Sequence, residues 1–285
     1  MPSPYPAAIP RRVVTVTIAW VLLLLAVILA PLLGTVALLA DVALRRKGWP
    51  TARMVAFIGA ALWIEVSSHP RVLWSWVSQP FARQTWTERN NHLMHWWAGR
   101  LTRGAERVVG VRWHFDIPDE LEPGPLLAFS QHVSIVDAVA PVYLLGCQQG
   151  WYLRYTLTRG LRFDPCLDIV GHRIPNHFVA RGGGDNSQEL ATLRTLVDDM
   201  HGDECAVIFP GGGLFTPAGL ARAVEKLRER GSPEAAMAAN YRHVMPPRPG
   251  GVNAFFDGAP DADVIVIGHV GFEPLSQGPF ARGNA

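Results

Sequence analysis

The chain has 285 residues, enough for one large domain or two small ones with a sizeable core. Its formal net charge of +2 is too small to suggest a nucleic-acid partner. Cys147, Cys166 and Cys205 are far apart and have no CxxC or Cys/His spacing, so the sequence predicts neither a disulfide framework nor a metal site.

The first predicted element is a membrane anchor, because residues 13–40 contain no charged side chain. This run exceeds the roughly 20 apolar residues that cross a bilayer, and it is too long for the apolar core of a cleaved signal peptide. Pro31 and Gly34 could kink the run or mark a re-entrant turn. More basic residues follow the run than precede it, which favours a cytoplasmic location for the bulk of the chain: Arg11 and Arg12 lie before, and Arg45, Arg46, Lys47 and Arg53 after.

A second apolar stretch, residues 54–66, is shorter and includes Glu65. It is compatible with half of a hairpin, a buried helix or an interfacial helix, and the interfacial reading is favoured. Eight of the ten tryptophans precede residue 100, and indoles prefer the headgroup level of a membrane. Arginines among them suit an anionic leaflet, although core aromatics with solvated arginines are the alternative. Residues 1–80 are therefore predicted to form an anchor with interfacial helices, in contact with membrane lipids.

From residue 111 onward, strand-like and helix-like segments alternate. This pattern predicts an α/β fold with a mixed, largely parallel sheet flanked by helices, over residues 81–270, before a short polar tail at 271–285. Strands are expected at 111–116, 126–129, 151–157, 178–180, 205–209 and 263–267, and helices after residue 132 and at 161–169, 188–200 and 217–230. The Pro/Gly-rich segments 118–125 and 246–251 are interpreted as loops within the domain.

An HxxxxD element, His132 to Asp137, follows the predicted strand 126–129 at a strand-to-helix turn. Positions five apart do not share a helical face, so the pair can meet only if His132 precedes the first regular turn and Asp137 reaches back. A carboxylate that holds one imidazole nitrogen leaves the other free to take a proton from a hydroxyl, the chemistry of acyl transfer to an alcohol. A capping Asp with a half-buried His is the alternative, and Ser134 could be a plain helix cap.

Two further segments carry polar or glycine-rich chemistry. Arg181 enters a glycine triplet, where its guanidinium could bind a phosphate. Phe209 and Pro210 open a glycine turn before a helix, and backbone amides there could bind an anion or an oxyanion. A Pro-rich stretch follows near Pro247.

These four blocks, in this order, resemble the membrane glycerolipid acyltransferases, of which 1-acylglycerol-3-phosphate acyltransferase is the type. The resemblance covers roughly residues 126–268. It implies that His132 is the general base that deprotonates the acceptor hydroxyl, that Asp137 orients it, and that Arg181 binds the acceptor phosphate. Ser134, Pro210, Gly211 and Gly212 are the other candidates for substrate binding. The implied donor is acyl-CoA or acyl carrier protein, with a lysophospholipid as acceptor, a diacylated phospholipid as product, and no metal or other cofactor.

The third block departs from the family pattern Phe-Pro-Glu-Gly-Thr-Arg, because Gly211 replaces the glutamate and Leu214 the arginine. Losing two charge-assisted contacts would weaken acceptor handling on the order of a hundredfold if nothing compensated. Gln131 stands where asparagine is common, and the short end of the chain suggests a shortened protein. The alternative is therefore an inactive relative that binds lipid or acyl-CoA, while a hydrolase triad is disfavoured because no GxSxG occurs. An arginine, Arg242 or Arg248, folded over the turn would compensate for Leu214.

Overall fold

The structure is a computed structural model that describes residues 5–117, 121–122, 124–179 and 186–271. The chain divides into two compact units. The first takes the described part of residues 1–119 together with 158–175, and the second takes that of 120–157 and 176–285. The predicted domain boundaries at residues 80 and 270 stay predictions.

The first unit begins with α1, Tyr5–Ala43, which is continuous through Pro31. The re-entrant turn considered at Pro31 is therefore wrong, because the helix accommodates the missing N–H without ending. Within the described residues α1 is the one helix long and apolar enough to cross a membrane, with a mean hydropathy of 2.9 in its most apolar window. Only 17% of that window is buried, unlike the core helix of a soluble protein. A membrane anchor remains an interpretation of this helix.

Two further long helices of this unit are α2 (Pro50–Val77) and α3 (Trp86–Gly104). α2 runs antiparallel to α1, since its first turn donates to Asp41 near the end of α1, while His69 lies beside Trp20, with 6.4 Å between ring centroids. α2 extends well beyond the predicted segment 54–66. α3 begins at a capping box and runs into a π-helical turn, Ala105–Val109.

The segment between the second and third strands of the chain belongs to this first unit. It holds a 3-10 turn, Arg159–Phe163, and α4, Pro165–Gly171. Asp168 of α4 is fully buried and accepts hydrogen bonds from Arg11 at 2.8 Å and Arg12 at 3.0 Å. The N-terminal end of α1 therefore lies on the same side as α4 of any membrane that α1 crosses. A membrane crossing that separates Arg11 from α4 does not fit this contact.

Asp164 caps the first turn of α4 by accepting from the Leu167 amide at 2.8 Å. Burial, and then the neighbouring charge of Glu65, raise the pKa of Asp164 to about 7. Because the pKa is raised in the folded protein, the neutral carboxyl contributes stability that is fully present below about pH 4 and is lost as the pH rises through about 7. The first unit should therefore lose stability as the pH rises between these values.

We expect Asp164→Asn to stabilise the protein at pH 8 by about 1–2 kcal/mol and to change little at pH 4.5, because asparagine caps a helix as well as aspartate and carries no charge. Thermal unfolding in detergent at the two pH values measures this. The exposed Asp116→Asn serves as the control. An equal shift of the melting temperature at both pH values would contradict the assignment.

The strands of the second unit are β1 Leu126–Ser130, β2 Tyr152–Thr158, β3 His177–Val179, β4 Glu204–Ile208 and β5 Asp263–Ile267. They form a sheet of order β3-β2-β4-β1-β5. The described pairings β1–β4, β1–β5 and β2–β4 are all parallel, which confirms the α/β class and the predominance of parallel strands. The antiparallel pairing that a mixed sheet requires is not found among them. The central strands β1 and β4 are almost wholly buried, as their continuous apolar sequences predict.

Four helices accompany this sheet: α5 Asn186–Thr195, α6 Pro217–Glu229, α7 Ala235–Ala238 and α8 Pro249–Gly258. The core includes Val197 after α5 and Phe255 of α8, packed with Leu127 of β1. α8 starts inside the segment 246–251 that was interpreted as a loop. That prediction was wrong because proline is well tolerated in the first helical turn, where its missing N–H has no partner to lose.

The strand predicted at 111–116 is also wrong, since these residues join no ladder among the described strands. The rings of Trp113 and Phe115 stack with centroids 6.2 Å apart, as alternate side chains of an extended segment can. An alternating sequence pattern does not by itself determine whether a neighbouring strand pairs with the segment.

Candidate active site

The carboxyl ends of β1, β4 and β5 lie at one edge of the second unit's sheet, because the three strands are adjacent and parallel. His132 follows β1 by two residues, Phe209 follows β4 directly, and His269 follows β5 by two residues. In open parallel sheets this edge is where ligands usually bind. The fold therefore gathers the first and third sequence blocks into one site.

His132 precedes a 3-10 turn, Ile135–Ala138, and Asp137 reaches back to it from within that turn. Nδ1 of His132 lies 3.5 Å from Oδ2 of Asp137, at the outer limit of a hydrogen bond. The predicted meeting of these two side chains is therefore present, with the geometry that five-residue spacing required. His132 keeps 18% of its side chain exposed, whereas Asp137 is fully buried.

Asp137 is held by donors on both carboxylate oxygens. Oδ2 accepts the backbone N–H groups of Val133 and Ser134, the latter at 2.7 Å, and Oδ1 accepts the Ser134 hydroxyl at 3.2 Å. Burial alone would raise the pKa of Asp137, but contacts with His132, His269 and the Ser134 amide outweigh it and hold the pKa well below its ordinary value. The group is consequently a fixed carboxylate at neutral pH, able to orient an imidazole.

Ser134 serves chiefly this local structure. Only 3% of it is exposed, and its Oγ accepts the Val136 amide at 3.2 Å while facing Asp137. These contacts are those of the helix cap that the sequence offered as the alternative. A direct role in substrate binding stays a prediction.

His269 is a site residue that the sequence analysis missed. Its Nε2 lies 3.2 Å from Oδ1 of Asp137, so the carboxylate stands between two imidazoles. Gln131 contributes to the position of His269. The Gln131 backbone N–H donates to the Ile267 carbonyl, and the Gln131 Oε1 accepts the backbone N–H of His269 at 3.4 Å. The sequence offered one signal for His269, which is its position two residues after the predicted strand 263–267. That signal became informative only because β5 pairs in parallel with β1, the strand before His132.

The glycine turn after β4 packs directly on the histidine. The Phe209 and His132 rings stack with centroids 4.3 Å apart and planes inclined by 24°. Phe215, beyond the turn, donates its N–H to the His132 carbonyl at 2.7 Å. The Gly212 N–H donates to the Phe209 carbonyl at 2.8 Å, so this amide closes the turn itself. The role predicted for Gly212 as an amide donor to substrate would require breaking that bond.

The Pro-rich block covers the turn from the other side. Arg248 donates its backbone N–H to the Pro210 carbonyl at 2.8 Å, and a Cβ added at Gly212 would lie 2.9 Å from the Arg248 Cζ. The Arg248 guanidinium therefore lies against the glycine turn, which is the arrangement expected to compensate for Leu214. At Gly211 an added Cβ would lie 2.6 Å from the Met245 Cβ. Met245 thus occupies the space into which a glutamate side chain at this position would project.

We expect Gly211→Ala to destabilise the second unit by about 1–3 kcal/mol, since the Met245 Cβ cannot rotate away. Met245→Gly in the same chain should restore most of the loss, whereas Met245→Ala should not, because it keeps the clashing atom. Gly213→Ala is the matched control, as an added Cβ there meets nothing within 4 Å. Thermal unfolding of the four variants measures the effect, and equal melting of Gly211→Ala and Gly213→Ala would refute it.

Arg181, predicted to bind a phosphate, lies outside the described residues. Across the ranges that the structure does describe, no three His, Cys, Asp or Glu side chains are arranged to hold a metal ion. Cys166 and Cys205 are buried, Cys147 is half-buried, and none of the three forms a disulfide.

The fold and site define an α/β protein with a His–Asp pair at the carboxyl edge of a parallel sheet. No family model matches the chain, and no curated protein or solved structure does so either.

Proposed function

We propose that the protein is a membrane-attached acyltransferase that moves a fatty acyl group from acyl-CoA, or acyl carrier protein, to the hydroxyl of a lysophospholipid, with 1-acylglycerol-3-phosphate as the first acceptor to test. One observation carries the proposal: the His132 imidazole has Nδ1 against the buried Asp137 carboxylate while part of its ring remains exposed. Among the described residues, His132 Nε2 forms no hydrogen bond, and so it is available to a substrate hydroxyl.

In the proposed reaction, His132 Nε2 takes the proton of the acceptor hydroxyl as the oxygen attacks the thioester carbonyl. The new carbon–oxygen bond forms and the carbonyl becomes a tetrahedral oxyanion. Its collapse breaks the carbon–sulfur bond, and the departing thiolate receives the proton from the imidazolium. Asp137 stabilises that imidazolium throughout. The thioester is already activated, so positioning, a base and charge stabilisation suffice.

The acceptor phosphate would be bound by Arg181, as the family resemblance implies, with Arg248 as a second cation at the glycine turn. Arg248 has no carboxylate partner among the described residues, and its guanidinium lies beside Gly212. A forked guanidinium suits a phosphate. This placement supports an active enzyme, because it restores near the turn the charge that Leu214 lacks.

The test is transfer from labelled acyl-CoA to a panel of lysophospholipids in membranes that carry the protein. Activity that depends on His132 would support the proposal, and the accepted lysolipid would name the substrate. Acyl carrier protein as donor forms a second arm.

A second candidate function is lipid or acyl-CoA binding without catalysis. Gly211 and Leu214 favour it, because the family's acid and base are both missing from the turn. Saturable acyl-CoA binding with no transfer to any lysolipid would favour this candidate.

We further propose that α1 enters the membrane from the cytoplasmic face. Arg11 and Arg12 contact Asp168, so they lie on the same side of the membrane as α4. The orientation depends on how the basic residues on that side compare with the three in the turn after α1, because basic residues favour the cytoplasmic face. Accessibility of cysteines introduced at Lys47 and His114 in spheroplasts tests this orientation.

A further inference from the structure

A groove between α2 and α3 of the first unit combines positive charge with indole surfaces. It has a volume of about 520 Å³, and none of the described residues that line it is acidic. The residues that matter for its chemistry are Arg71, Trp74, Ser75, Arg89 and Trp96.

Helical spacing explains why these side chains share the groove. Arg71, Trp74 and Ser75 are three and four positions apart on α2, so they form one face of that helix. Arg89 and Trp96 are seven positions apart, two turns along α3, and form the opposing face.

Both arginines lack a carboxylate partner in the part of the chain that the structure covers. Arg71 donates to the Ser67 carbonyl, and its Cζ lies 4.1 Å from the centre of the Trp96 ring. Arg89 donates to the neutral oxygens of Ser78 and Gln79. A guanidinium stacked on an indole still presents its edge, which is the part that binds an anion in a forked geometry.

Ser75 provides an independent sign of a missing ligand. Its side chain borders the groove with only 4% of the residue exposed, and its Oγ has no hydrogen-bond partner among the described residues. Buried hydroxyls nearly always have a partner, so an unmatched one beside two cations indicates a place for an oxygen-rich anion.

The position along the helix pair identifies the source of that anion. His69 lies beside Trp20 of the antiparallel α1, and Trp74 is between one and two turns further on, level with the start of the apolar run after Arg12. Large apolar side chains near this level are exposed, with Trp74 at 69% and Phe81 at 88%. Indoles and arginines at the end of an apolar helix mark the headgroup layer.

We propose that this groove binds the phosphate of an anionic membrane phospholipid, with Arg71, Arg89 and Ser75 as its ligands and the Trp74 indole against the glycerol backbone. The site performs no chemistry and does not depend on acyl transfer. It would fix the depth and rotation of the first unit at an anionic membrane surface.

The experiment measures binding of phosphatidylglycerol and phosphatidylcholine with identical acyl chains to the full-length protein in detergent, by native mass spectrometry and without acyl donor. We expect about tenfold tighter binding of phosphatidylglycerol to the parent, and loss of that preference in Arg71→Gln/Arg89→Gln. Ser75→Ala should weaken phosphatidylglycerol binding about fivefold with no change of charge.

Two control variants match these changes. Arg107→Gln removes an exposed arginine beyond the far end of α3, and Ser67→Ala removes a hydroxyl that bonds only its own helix. Both should keep the preference. Equal binding of the two lipids, equal loss in Arg107→Gln, or displacement of the lipid by soluble glycerol phosphate would each overturn the proposal. If the double arginine variant melts below the parent, Ser75→Ala decides the outcome.

Discussion

Replacing His132 with alanine should reduce acyl transfer about a thousandfold, within the range of general-base catalysis. The acceptor hydroxyl is a poor nucleophile until its proton is removed, and His132 is the exposed member of the pair that can remove it. Binding of the lysolipid should change little, because in this proposal the phosphate is held by arginines. Initial rates of transfer at saturating acyl-CoA, compared with equilibrium binding of the lysolipid, separate the two effects.

The control for His132→Ala is His201→Ala in the same unit. His201 has an 85% exposed side chain and precedes β4, at the amino edge of the sheet. The His201→Ala variant should leave the rate of acyl transfer unchanged. Full activity of His132→Ala, with correct folding by circular dichroism, would rule out His132 as the base.

Asp137→Asn should cost both activity and stability. Each oxygen of the carboxylate faces hydrogen-bond donors. The amide of asparagine must therefore turn its own donor, the NH₂ group, towards the donors on one side. A buried donor placed against donors costs about 1–3 kcal/mol, and loss of the orienting charge should lower transfer by about a hundredfold or more. Denaturant unfolding and initial rates measure the two losses.

The stability part of this prediction depends on pH. Because the pKa of Asp137 is depressed in the folded protein, its contribution is fully present above about pH 4 and is lost as the pH falls below that value. The gap in unfolding free energy between the parent and Asp137→Asn should therefore narrow in acid. Asp261→Asn, at an exposed aspartate before β5, should show no gap at any pH, and a gap that widens in acid would be incompatible with an ionised Asp137.

The sequence alone predicted those features of the molecule that depend on local chemistry. The uncharged run of residues 13–40 predicted α1, because a helix that long and that apolar follows from composition. Continuous apolar runs predicted β1 and β4, and the terminal strand 263–267 was correct to the residue. The spacing of His132 and Asp137 predicted their contact and its geometry, because a five-residue reach across the start of a helix has few solutions.

Tertiary structure decided what depends on partners distant in sequence. Gly211 was interpreted as the loss of a glutamate contact, but Met245 fills the space beside it. The approach of Arg248 to Gly212 depends on how residues 245–249 fold back. His269 became a site residue only through the parallel pairing of β5 with β1. Asp168 holds Arg11 across more than 150 residues of chain, a contact that no local pattern records. Periodicity and propensity act over a few residues, whereas the register of a parallel sheet and the pairing of buried charges are set by packing of the whole unit.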